Sequence, residues 1–142
     1  MTLLQKAIDR LKNEHLSCIA TRGEFEYISI DKGLKPLLKP LRENPNFFKD
    51  TVVIDRIIGK SAAFLLIKGK IKSIHAITLS QHALTLLEKH MIPVTYENLV
   101  PYVVNATQTG MCPMEATVIE IEDVEEAYLA LINKVNELMA AK

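Results

Sequence analysis

Apolar residues near the start of the chain recur at helical intervals. Leu3, Leu4, Ala7, Ile8 and Leu11 fall on one face, which predicts an amphipathic helix over residues 2–14. Two extended runs follow, Leu16–Thr21 and Phe25–Ile30, on either side of Arg22-Gly23-Glu24, the pattern of a hairpin turn. Gly33, Pro36, Pro40 and Pro45 break up the next stretch, in which Leu37, Leu38 and Leu41 predict a short helix starting near Pro36. Thr51–Ile54 reads as a short strand or an extended lead-in. Residues 58–68 are almost wholly apolar and predict a buried central helix, because Ala62 and Ala63 favour helix and Gly69 stands where a helix stop belongs. A buried strand competes with that reading, since periodicity alone does not separate the two.

Lys72–Thr78 predicts a strand, and Ser80 then caps a helix through His90, with Ala83, Leu84, Leu87 and Met91 on one face. Pro93–Glu97 predicts the next strand. A loop over Asn105–Met111 and a short helix over 113–119 come after it. Asp123 with Glu126 three residues on resembles a capping box and opens a long last helix, with Val124, Tyr128, Leu131, Val135 and Leu138 at steps of four and three. A hairpin followed by strand–helix–strand alternation implies an α/β fold, a three-layer α-β-α sandwich on a mixed sheet.

Bulk properties narrow the picture. The 142 residues, 49% of them hydrophobic, fit one domain over 1–142 with one core. Seventeen basic residues balance seventeen acidic ones, which argues against nucleic acid or an anionic membrane as a general electrostatic partner. The longest apolar run, near Ile57–Ile67, is punctuated by Arg56, Lys60 and Lys68 and falls short of the roughly 18 residues a membrane span needs. The first residues carry Lys6 and Asp9 in a helical pattern rather than a signal-peptide pattern. Cys18 and Cys112 lie far apart, so the expectation is a cytoplasmic chain with free thiols, in which Asn105-Ala106-Thr107 matches a glycosylation acceptor by chance.

Two stretches could carry chemistry. Gly59-Lys60-Ser61 resembles the end of a phosphate-binding loop, but Ile54 stands where the first glycine belongs, so that loop cannot form in its usual way. A weaker anion site at a helix start remains, with Lys60 adding charge; the plain alternative is that Lys60 pairs with Asp55 beside a buried helix. Cys112-Pro113-Met114-Glu115 reads as a helix start. Pro113 suits the first helical position, Cys112 sits where the helix dipole favours a thiolate, and Glu115 stands where a carboxylate reaches back to the cap. Cys112 is therefore either a nucleophile or a small buried residue. Asn105 either binds a ligand or bonds its own backbone, and Gly110 suits a turn.

Taken together, Asp55-Arg56-Ile57-Ile58-Gly59-Lys60-Ser61-Ala62-Ala63 and the segment from Asn105 to Gly110-Met111-Cys112-Pro113-Met114-Glu115 resemble the DUF1893 family of domains of unknown function. The resemblance covers nearly the whole chain and implies a cytidine-deaminase-like fold. This chain departs from the family's pattern at Ser61 and at Ala106, the latter in place of a basic residue. Zinc deaminases of that fold need His- or Cys-x-Glu at one helix start and Pro-Cys-x-x-Cys at the next. None of His15, His75, His82 and His90 has glutamate two residues on, and no Cys-x-x-Cys occurs, so zinc chemistry is not expected and no metal or cofactor is implied.

The resulting expectation is a zinc-free site for a small anionic or nucleotide-like ligand. Gly59, Lys60, Ser61 and Asn105 would bind it. Asp55 or Glu115 would act as acid or base and Cys112 as nucleophile if the site is catalytic. The rival class is a structural or interaction protein that acts as a homo-oligomer through its last helix or an edge strand.

Overall fold

A computed structural model describes residues 1–140. The elements, in chain order, are α1 (Leu3–Asn13), β1 (Cys18–Arg22), β2 (Phe25–Ser29), α2 (Lys35–Glu43), β3 (Val52–Ile58), α3 (Lys60–Lys68), β4 (Ser73–Ser80), α4 (Gln81–Lys89), β5 (Val94–Val100), α5 (Pro113–Val118) and α6 (Val124–Ala140). The five strands form one mixed sheet in the order β2-β1-β3-β4-β5. β1 runs antiparallel to both β2 and β3, whereas β3, β4 and β5 are parallel. Each parallel step is bridged by a helix, as parallel pairing requires.

The two sheet faces are covered unequally. On one, α1 alone packs through Ile8 and Leu11 onto Ile19 and Ile54. On the other, α2, α3 and α4 cover the sheet, and Val118 of α5 with Ala127 and Leu131 of α6 join the same cluster. α3 is buried along most of its length, from Lys60 to Leu66. Helix start signals act as the sequence implied. Ser80 Oγ accepts from Ala83 N at 3.1 Å, and Asp123 Oδ2 accepts from Glu126 N at 2.9 Å. The hairpin turns on Gly23, whose φ of 59° is the left-handed conformation such a turn demands.

Two expectations need correction. β3 continues to Ile58, so Asp55 lies within a strand rather than at the start of a helix, and α3 begins only at Lys60. The cause is the β-branched Ile57-Ile58 pair followed by Gly59, which holds an extended cap conformation. β4 and β5 likewise run on to Ser80 and Val100, beyond the predicted ends. Gly69 caps the end of α3 as expected, with a φ of −73°, and Lys70 after it takes a positive φ. Space explains the glycine, because a Cβ there would lie 3.2 Å from Phe48 Cβ and 3.3 Å from the Leu65 carbonyl oxygen.

Arg56 ties the lone helix of the thin layer to the sheet. Its Nε donates to the Leu16 carbonyl at 2.5 Å and its Nη2 to the Leu11 carbonyl at 2.8 Å, where α1 ends. Arg56→Leu should therefore lower unfolding free energy by about 1–3 kcal/mol. Urea denaturation followed by circular dichroism checks this, and an unchanged midpoint would show that α1 docks without the guanidinium.

Candidate functional site

The two sequence motifs meet. β3 delivers Gly59 and Lys60 to the start of α3, a helix buried from Lys60 to Leu66, so its first N–H groups need partners from within the chain. The partner is a side chain 55 residues away: Glu115 Oε2 accepts from Lys60 N at 2.5 Å. The same oxygen accepts from Ser80 Oγ at 2.7 Å, and Oε1 accepts from Val103 N at 2.7 Å. One carboxyl group, 1% exposed, thus joins the start of α3, the start of α4 and the chain before α5. Burying it carries a large desolvation cost, which three donors on its two oxygens offset.

Each neighbour fits that carboxyl. Gly59 leaves the room: a Cβ there would sit 2.7 Å from Glu115 Oε2 and 2.8 Å from Val103 Cγ2. Pro113 opens α5, and Cys112 N donates to the Val103 carbonyl at 2.7 Å, so Val103 is held by both its polar backbone groups. Lys60, 5% exposed, grips α5 a second time through Nζ, which donates to the Ile119 carbonyl at 2.8 Å at the far end of that helix. Its ammonium lies 3.9 Å from Glu122 Oε1 and 5.7 Å from the Phe64 ring centroid. Ser61 is buried beside it.

Two local expectations are corrected here. Lys60 does not pair with Asp55; its charge goes to Ile119 and Glu122. Glu115 does not reach back to the Cys112 cap; it reaches outward to Lys60, Ser80 and Val103, because the buried start of α3 offers the stronger demand for an acceptor. Asp55 stands apart, opposite Cys18 in the β1–β3 register, with Ser29 next in that row on β2. Burial pushes its carboxyl up to about 7, against partial relief from the Ile57 and Arg56 backbone and the Cys18 thiol. Burial, with the Asp55 charge beside it, likewise pushes the Cys18 thiol well above the usual range.

The loop residues divide. Asn105 serves its own loop: Oδ1 accepts from Thr109 N at 2.9 Å and Nδ2 donates to Thr109 Oγ1 at 3.1 Å. Cys112 is a free, partly exposed thiol at the cap of α5. Sequence reasoning missed Val103 and the second role of Ser80, and it had no means of seeing Cys18 opposite Asp55, which only strand register reveals. It also missed a polar chain on β4 and β5. There His75 lies 2.7 Å from Thr95 Oγ1 and 3.4 Å from Glu97 Oε2, and Lys12 of α1 donates to Glu97 Oε1 at 2.8 Å. That ammonium is the main cause holding the Glu97 carboxyl below its usual range. Among the described residues, no three His, Cys, Asp or Glu side chains gather as a metal site.

Glu115→Gln places an amide where three donors converge and should cost about 2–4 kcal/mol, far more than Glu120→Gln on the surface. Equal denaturation midpoints for the two variants would contradict the assignment. Asp55 sets a pH dependence of definite sign. Its carboxyl is protonated in the native state and ionised in the unfolded chain between pH 3.8 and about 7, so stability falls as pH rises through that window. Asp55→Asn should remove that slope and stabilise the protein at pH 8 by about 1–3 kcal/mol relative to wild type. Denaturation curves at pH 5 and pH 8 test it; a wild-type stability that climbs across the window would contradict it.

The family profile of the Domain of unknown function (DUF1893) matches residues 6–135. The crystal structure of a DUF1893 family protein from Thermotoga maritima superposes with a TM-score of 0.85 at 33% identity, covering 93% of this chain and 89% of that one. No curated protein matches. With the profile spanning both motifs and the solved relative sharing the fold over 89% of its length, this chain belongs to the DUF1893 family.

Proposed function

We propose that this chain is a zinc-free protein of deaminase-like fold that binds a small nucleotide-like or otherwise anionic ligand at the carboxyl edge of β3 and β4. The observation that carries the reading is the convergence of both motifs on Glu115 at that edge. In many α/β sheets ligands enter where parallel strands end and helices begin. In zinc deaminases successive helix starts hold the metal; here α2 starts with Lys35-Pro36 and α3 with Lys60-Ser61, which are not zinc ligands.

Within this reading Glu115 and Lys60 are positioning residues, since their polar groups are engaged inside the chain. Contact with the ligand falls to Asp55, Cys112 and the Asn105 loop. A carboxyl held near 7 gains or loses its proton at neutral pH, which suits an acid–base role, and binding alone is equally served by it. A thermal-shift screen with nucleotides and metabolites tests the proposal. The expected result is a hit lost in Asp55→Asn and Cys112→Ser but kept in Lys72→Ala on the surface. A panel without hits, or a hit indifferent to the first two changes, would end it.

A second reading, assembly as a homo-oligomer, draws on β5. This strand is hydrogen-bonded on one side only, and Thr95 to Leu99 are exposed in succession, with Lys12 of α1 reaching Glu97 among them. Such an edge is a ready template for pairing. Sedimentation equilibrium would then give a mass that rises with concentration and falls back in Leu99→Lys; a monomer throughout would dismiss this reading.

A further inference from the structure

A groove of about 770 Å³ runs between α2 and the final turns of α6, with Met114 of α5 in its lining. Its floor is apolar: Leu38 of α2, Met114 of α5, and Val135, Leu138 and Met139 of α6. Leu138 and Met139 remain 40% and 65% exposed, although the helix could have ended in polar residues. Methionines suit an irregular apolar occupant because the side chain adapts to shape.

The rim is cationic. Lys32, Lys35, Lys39 and Arg42 line it against one acid, Glu43, in a chain whose total charge is zero. None of the four forms an ion pair with another described residue. Lys35 and Lys39 stand four apart on one helix, a like-charge spacing that destabilises it. Lys35 is also the first residue of α2, whose first turn carries no acid, and a cation is unfavourable at that end of the helix dipole. Four cations against one acid, beside an apolar floor with Leu138 and Met139 exposed, form a surface complementary to an anion with an apolar body.

We infer that this groove binds a free single-chain anionic amphiphile, an alkyl carboxylate monomer whose chain lies along the floor between Leu38 and Val135 and whose head meets Lys35 and Lys39. Its volume falls in the range of small-molecule sites. A membrane surface would favour a protruding apolar face over a recess, and α2, with nine residues, is short for cradling a partner helix. The groove's lining does not include Asp55, Cys112 or Asn105, so its test is read independently of the ligand proposed at the carboxyl edge of the sheet.

Isothermal titration of the full chain with dodecanoate, below its aggregation concentration, tests this. The expected result is saturable one-to-one binding that weakens about tenfold or more in Lys35→Glu/Lys39→Glu and is unchanged in Lys72→Glu. Dodecyl maltoside, with a neutral head, should bind at least about tenfold more weakly than dodecanoate. All the substituted lysines are exposed, so the fold should survive, and circular dichroism confirms it. No binding, equal binding of the neutral amphiphile, or indifference to the charge reversal overturns the inference. So does co-flotation with anionic vesicles in the absence of any monomer binding.

Discussion

The buried carboxyl of Glu115 is the interaction on which the arrangement turns. α3 is covered on nearly every side, so water cannot satisfy its first N–H groups, and a buried donor without a partner costs as much as a lost hydrogen bond. The chain meets that demand with a side chain from α5, and in doing so fixes where α5 and the preceding loop must lie. Lys60 completes the clamp by holding α5 at both ends, by its backbone N–H through Glu115 and by its ammonium at Ile119. A short helix with little core of its own is thereby bound to the centre of the fold.

This clamp also directs attention to where ligands can reach. The start of α3 is already occupied by a carboxyl group of the protein's own, so the anion-binding capacity of Gly59-Lys60-Ser61 is used internally. What remains open is the partly exposed thiol of Cys112 and, apart from the clamp, the half-buried Asp55, its proton held near neutrality beside the buried Cys18 and Ser29. Elsewhere the unequal layering leaves surface uncovered: Thr95 to Leu99 of β5 are exposed in succession, and Leu138 and Met139 at the end of α6 remain 40% and 65% exposed. No helix among the described residues is long and apolar enough to cross a membrane.

Much of the fold was legible because the signals were local. Periodicity placed α1, α4 and α6, and the caps at Ser80 and Asp123 were read from residue type alone. The boundary between β3 and α3 was not legible, because an apolar run fits either element until Gly59 is seen as a cap. The meeting of the two motifs was foreseeable as a helix-start juxtaposition, but its chemistry was not. A glutamate at the third helical position can reach back to its own cap, and the tertiary demand of a buried helix start redirected Glu115. The Asp55–Cys18 pairing depends on strand register, which no local pattern of this chain specifies.

The central claim is that Glu115 couples helix starts that are distant in sequence. A double-mutant cycle between Ser80→Ala and Glu115→Ala, read by chemical denaturation, addresses it most directly. The account predicts that the two losses are not additive, with a coupling of about 1 kcal/mol or more between the positions. Strictly additive losses would mean that the hydroxyl and the carboxyl act independently, and the clamp described here would not exist as a unit.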